Sequence, residues 1–308
     1  MDEVFAEKLD RETLRALSRR SDIKGLARLV SHFAVLGGLA LLISVIPFSP
    51  WLVPALVVYG ALLIFLFAPL HEAIHRTAFR ARWLNDGVAM LTGAVLLLPP
   101  GFFREFHFAH HRHTQDAARD PELAAAKPSN IGAYLWLISG LPYWRERIAT
   151  TIRHALGQVE DPFIAPRKRQ AVAREAQLYL LLYAAIIAAS AAMGSWAIAW
   201  YWLAPALLGQ PALRLFLLAE HGGCPPLADM LKNSRTTRSN ALVRWFAWNM
   251  PYHSEHHAYP GLPFHALPAA HGHLAPAIAV RDRGYLAVNW KLIRNFSKAR
   301  DTRRFPTD

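Results

Sequence analysis

Fifteen histidines occur in 308 residues, and eight of them fall into three tight groups. His71 and His75 are four apart. His107, His110 and His111 form HxxHH, and His253, His256 and His257 repeat that pattern. Positions i, i+3 and i+4 share one face of a helix, so each group is expected to turn its imidazoles toward one point. Neutral imidazole is a common metal ligand, and this spacing is metal-ligand spacing. His221 closes a long apolar stretch at the depth expected for His71, which makes it a ninth candidate. A structural or hydrolytic zinc takes four positions, so eight or nine imidazoles imply two metal ions. With one cysteine, Cys224, and no repeated carboxylate ligand, the set suits Fe, Zn or Cu, and spacing does not choose among them.

Acids stand close to these histidines. Glu72, Glu220 and Glu255 each adjoin a candidate ligand, and Asp116 and Asp120 follow the second group. A metal-bound imidazole donates its other N–H to a carboxylate or carbonyl, which is the part expected of these acids; a solvated loop acid is the plain alternative. His113, two beyond His111, turns away on a helix and is expected to hydrogen-bond rather than ligate. Arg214, near the inner end of the last apolar stretch, can snorkel and either pair with Glu220 or meet substrate. His32 is read as an interfacial residue. His154, His265, His271 and His273 lack partner spacing and are read as structural or surface residues.

Such groups need elements that hold them at one level. Residues 31–70 contain no Asp, Glu, Lys or Arg, and neither do residues 176–213. A spanning helix needs about 20 apolar residues, so each stretch accommodates two spans and a tight turn. Pro47-Phe48-Ser49-Pro50 breaks the first stretch ahead of Trp51; Gly194-Ser195 breaks the second ahead of Trp196, Trp200 and Trp202. Prolines end helices, and indole rings favour the membrane–water boundary. Spans are expected over residues 29–47, 51–70, 176–193 and 196–217.

Every one of the 34 Lys and Arg lies outside the two tight turns: seven in residues 1–28, fourteen in 71–175 and thirteen in 214–308. Two hairpins dipping in from one face give this pattern, and the positive-inside rule makes that face cytoplasmic. The net charge of +12 then serves topology and contact with anionic lipid, not a nucleic-acid groove. A hydrophobic content of 53% excludes a disordered chain, and a lone cysteine excludes a disulfide scaffold. Twenty-seven arginines against seven lysines point to a GC-rich bacterial gene and so to a bacterial inner membrane. No apolar run precedes residue 29, so no cleavable leader is expected.

Residues 3–30 alternate apolar and charged positions at helical spacing, which reads as an interfacial helix within 1–28. Residues 88–99 and 131–142 are apolar but too short to span, as in-plane or re-entrant helices are. The segment 158–174, with Pro162, Pro166 and Arg167-Lys168-Arg169, reads as a flexible link to the third span. Strand signals are absent. The expected fold is one all-α integral membrane domain over 1–308, its helical cap (71–175 and 218–308) carrying the histidines.

The runs HEAIH (71–75), HFAHHRHTQD (107–116) and NMPYHSEHHAYPG (249–261) resemble the three histidine boxes of the membrane fatty acid desaturase superfamily. Their placement after the second span, in the next loop and after the fourth span matches as well, over residues 29–275. The resemblance implies a non-haem di-iron centre that activates O2 and removes or replaces hydrogen at an unactivated C–H bond. As ligands it implies His71, His75, His107, His110, His111, His253, His256 and His257, with His221 matching an additional histidine that several members supply. In some members an Asn one turn before that extra ligand contributes through water. Here that position is Leu217, and Asn249, one turn before His253, is the candidate for the part.

The expected activity is O2-dependent desaturation of a lipid acyl or alkyl chain that threads from the bilayer to two Fe ions. Hydroxylation of a lipid, an alkane or a carotenoid is the alternative on the same centre. Four spans argue against the larger bundle of an alkane hydroxylase. A membrane zinc hydrolase would leave five histidines without a task, and a metal transporter would need ionisable groups at bilayer depth. The chain has no four-cysteine cluster set and no HPGG haem loop. An external electron donor is therefore expected, a ferredoxin, cytochrome b5 or flavoprotein reductase whose acidic face suits the basic surface.

Overall fold

The computed structural model describes residues 9–125 and 127–301. Helix α1 (Arg11–Leu17) starts at Asp10, whose carboxylate accepts from the Thr13 N–H at 2.8 Å. Helix α2 (Asp22–Val45) is capped by Ser21 and forms the first span-length apolar helix. The interfacial helix expected over residues 1–28 is thus two pieces, the second continuous with the first span; residues 1–8 lie outside the described residues.

Helices α3 (Leu52–Ile64) and α4 (Phe67–His75) continue one another as the second span-length unit, Leu52–His75. His71 and His75 therefore ride on the end of that helix, as expected. Next, α5 (Arg82–Leu96) and α6 (Pro100–His113) meet at 95°. Leu97 ends α5 in the left-handed region, and Pro100 starts α6 at a position where no helical N–H is needed.

The short helices α7 (Ile131–Ile138) and α8 (Leu141–Ala155) lead to α9 (Pro166–Ala192), the third span-length helix. Residues 166–174, expected as a flexible link, are helical. Pro166 suits a first helical turn, and the Arg and Lys that follow are good helix formers, so the helix runs past the apolar stretch. A π-turn (Ala199–Leu203) and α10 (Ala204–His221) make the fourth. Short connections join the first two of these helices and the last two, consistent with the expected hairpins.

Beyond α10 come β1 (Arg235–Arg238), α11 (Ala241–Phe246), α12 (His253–Ala258), α13 (Leu267–Leu274), β2 (Val280–Arg283) and α14 (Tyr285–Asp301). The strands pair in parallel, Arg235 opposite Val280. This small ladder went unexpected because four-residue strands leave no alternation to read. The helical class stands, with four spans. Outward apolar side chains on α2 (Leu41, Val45) and α9 (Leu181, Ile187) are exposed, as lipid contact requires, and Phe48, Trp51 and Trp196 stand at the far turns.

Three features place the histidine-bearing helices. Spans two and four touch backbone to backbone at Gly60 and Gly209. The last turns of α5 find their carbonyl partners on neighbouring helices: Tyr179 donates to Met90 O, Tyr183 to Ala94 O, Trp202 Nε1 to Val95 O and Tyr143 to Leu96 O, at 2.8–2.9 Å. Where water is scarce, a helix end must be satisfied by protein, and these four donors let α5 stop at the corner that launches α6. From span three, Glu175 accepts from the Gly101 N–H at 2.9 Å, placing a carboxylate at the positive end of α6.

Candidate metal centre

Four helices deliver imidazoles to one place: α4 brings His71 and His75, α6 brings His107, His110 and His111, α10 ends in His221, and α12 brings His253, His256 and His257. One nitrogen from each of His71, His75, His107, His111 and His256 lies within 4.8 Å of the others. His110, His221 and His257 form a second such group, which His253 joins through Nε2, 2.9 Å from Nε2 of His221. The two groups adjoin, with the rings of His111 and His257 stacked at 4.2 Å.

Each HxxHH run is divided, not turned toward one point. Position i+3 lies about 60° to one side of position i on a helix and i+4 about 40° to the other. His107 and His111 therefore face the first group while His110 faces the second. In α12 the split is mirrored: His256 faces the first group, His253 and His257 the second.

The atoms turned away from each centre fix the tautomers. Nδ1 of His110 is 2.9 Å from Asp120 Oδ1, Nδ1 of His221 is 3.2 Å from the Asn233 carbonyl, and Nδ1 of His257 is 3.2 Å from the Thr114 hydroxyl. Thr114 donates its own proton to the His110 carbonyl at 2.7 Å, so toward His257 it accepts. Glu220 Oε1 lies 3.2 Å from Nδ1 of His253 but out of hydrogen-bond alignment. With Nδ1 of His110, His221 and His257 protonated, their Nε2 atoms carry lone pairs, and together with Nε2 of His253 these nitrogens face one another at 2.9–3.2 Å. Converging lone pairs repel unless a cation sits between them. In the first group, Nδ1 of His71 and Nε2 of His75 are buried without a hydrogen-bond partner. The residues fit two metal ions.

Electrostatics agrees. Burial, then the neighbouring imidazoles, hold His107, His111, His253, His256 and His257 well below the usual histidine pKa, which favours the uncharged form that metal binding requires. His110 departs from this: burial lowers it, but the charge of Glu122 and the bond to Asp120 outweigh burial and raise it.

The remaining expected helpers divide. Glu220 and Asp120 meet imidazoles. Glu72 instead accepts from the Thr77 hydroxyl (2.7 Å) and the Phe264 N–H (3.3 Å), and Glu255 takes the Thr236 hydroxyl (2.6 Å) and His271. A residue next to a ligand is rotated by about 100° on a helix, which turns both acids away from the centres. Asp116 caps the turn at Ala118 and pairs with Arg119. His113 lies half-buried beside Arg112 at a surface hollow. Asn249, left-handed at φ 59°, donates to the Phe264 carbonyl at 3.0 Å and so braces the third box from behind. Thr114, Glu122 and Asn233 were not singled out by sequence; Thr114 at least stands inside the second box.

A cavity of about 550 Å³ opens beside the histidines. His71, His107, His110, His221 and His253 line one part, Phe65, Phe67, Leu213 and Phe216 the walls, and Tyr143, Arg147 and Arg214 another part.

The "Fatty acid desaturase" family model matches residues 48–289. Dihydrorhizobitoxine desaturase of Bradyrhizobium elkanii is 28% identical over 92% of this chain and 84% of its own. Two proteins named sn-1 oleoyl-lipid 12-desaturase are also similar. That of Picosynechococcus is 29% identical over 63% of this chain and 56% of its own, that of Synechocystis 27% over 74% and 69%. With four apolar span-length helices and the match over most of its length, this membrane protein belongs to the fatty acid desaturase family.

Proposed function

We propose that the protein desaturates a lipid acyl or alkyl chain, with O2 as co-substrate, at two non-haem iron ions. His71, His75, His107, His111 and His256 would hold one ion, and His110, His221, His253 and His257 the other. The observation that carries this reading is the division of nine histidines into two adjoining groups whose unprotonated nitrogens converge. Bound iron supplies oxidation of an unactivated C–H bond by dioxygen, chemistry that no side chain provides.

The chain's own contribution is placement. Asp120, Thr114 and the Asn233 carbonyl hold three of the second group's rings in register, with Glu220 beside the fourth, His253. Phe65, Phe67 and Phe216 line an apolar chamber that keeps a hydrocarbon beside the histidines and keeps water out. The cation-bearing face is assigned to the cytoplasm of a bacterial inner membrane, where an acidic ferredoxin, cytochrome b5 or flavoprotein reductase delivers electrons.

Two measurements test this. Metal analysis of the purified protein is expected to give close to two irons per chain, and lipids from expressing cells to contain a new double bond. A single zinc per chain, or a hydroxylated product with no new double bond, overturns the proposal.

A further inference from the structure

Arg214 lies in the fourth span, where the only other formal charge is Glu220. The two do not pair. Glu220 faces His253, and among the described residues no carboxylate oxygen comes within 4.0 Å of the Arg214 guanidinium. Its Nε donates to Gln210 Oε1 at 3.2 Å and its plane rests on the Tyr143 ring, 4.5 Å from the centroid. Gln210 is fully buried and Tyr143 is tied to Leu96, so the guanidinium is held in one place. Among the described residues neither Nη donates to a protein acceptor, although Arg214 lines the same cavity as His71 and His221.

The charges around it have partners. Arg147 pairs with Glu146, Lys127 donates to Gln115 at 2.8 Å, Asp120 is held by His110, and Glu122 lies 3.6 Å from His110. Among the described residues Arg214 is the one cavity cation left facing neither a carboxylate nor a carboxamide with its Nη groups. Glu122 and Glu146 act on its charge from beyond salt-bridge distance, but no carboxylate touches the fork, and a cation at membrane depth with no contacting counter-ion is a binding site by default.

We propose that Arg214 anchors an anionic group of the substrate, a carboxylate or a phosphate, inside the cavity. This rests on the cavity being the substrate chamber of the desaturase. The planar guanidinium fork suits two-point binding of either group. Arg214 and His221 are seven residues apart on α10, hence on the same face and separated by about 10 Å of rise. The anionic group therefore enters with the chain and sits within about that span of the carbon attacked. A substrate whose head group stayed at the membrane surface would leave Arg214 unmatched.

The test compares binding of dodecanoate, methyl dodecanoate and dodecyl phosphate to the purified enzyme in detergent. Wild type is expected to bind one of the two anions at least about ten-fold more tightly than the ester. The tighter anion tells a free carboxylate from a phosphate head group. In Arg214→Gln the preference is expected to vanish with ester affinity and metal content unchanged, and Arg214→Lys to keep part of it. Equal affinity for anions and ester in wild type overturns the proposal, and so does a preference that survives in Arg214→Gln. Should Arg214→Gln fail to fold, the wild-type comparison and Arg214→Lys still decide. Binding is read without turnover, so a missing double bond would sink the desaturase reading and leave this result standing by itself.

Discussion

A Cβ on Gly60 would come within 2.1 Å of the Pro205 carbonyl oxygen, and one on Gly209 within 2.0 Å of the Gly60 oxygen. The second and fourth spans thus cross with no side chain between them, the close approach that small residues permit in membranes. From this crossing the helix to His71 is about 17 Å long and the helix to His221 about 18 Å. One contact sets both imidazoles at one depth.

Gly209→Leu is therefore expected to separate the two spans. Overpacking typically costs about 1–3 kcal/mol, and here the obstruction is backbone that cannot rotate aside. Thermal unfolding in detergent should shift to a lower midpoint, and metal per chain should fall with it. Gly38 on α2 has open space where its Cβ would be, so Gly38→Ala is expected to leave both quantities in place. Equal behaviour of the two variants would show that the crossing does not set the site.

The imidazole clusters were legible from their i, i+3 and i+4 spacing, and the spans from their charge-free runs. What escaped has physical causes. Asn233 meets His221 through a backbone carbonyl, which any residue type supplies. Glu72 and Glu255 looked like partners because they adjoin ligands in the chain, but neighbours on a helix point about 100° apart. Glu220 does meet an imidazole, and it is His253 from α12, not the adjoining His221. The division of each HxxHH between two groups follows from the angle between i+3 and i+4, yet it depends on there being two centres to face. The β1–β2 pair joins residues far apart in sequence and has no local pattern.

Asp120 gives a graded test of the second group. Its carboxylate fixes the His110 ring and also accepts from the Gln115 N–H at 2.9 Å. Asp120→Asn keeps the shape but removes the charge that favours a protonated Nδ1. Loss of such a partner typically weakens metal binding about ten-fold to a hundred-fold. In a chelator titration one of two irons is expected to leave early while the other is retained, and His110→Ala should lose it outright. Glu255→Gln, which perturbs Thr236 and His271 and no centre, is expected to lower stability with both irons retained. Simultaneous loss of both irons in Asp120→Asn would contradict the division into two groups.

Acid should act on a different pair. Nε2 of His154 lies 2.7 Å from Asp161 Oδ2, and Arg153 donates to Oδ1 at 2.9 Å. Burial alone would raise the Asp161 carboxyl, but the bonds and charges of His154 and Arg153 outweigh it and hold the group well below the usual carboxylate range. Its folded pKa lies under the unfolded value of about 3.9, so its contribution is complete above that pH and is lost as the pH falls toward the folded value. The thermal midpoint is expected to decline below about pH 4. Asp161→Asn should start lower at neutral pH and show less of that acid-dependent decline. The His154 side chain, only 2% exposed and packed on Phe102, belongs to neither imidazole group. His154→Ala should therefore lower the midpoint while iron per chain stays at the wild-type value. Iron loss at an unchanged midpoint would place His154 in the centre and break the division of labour drawn from the geometry.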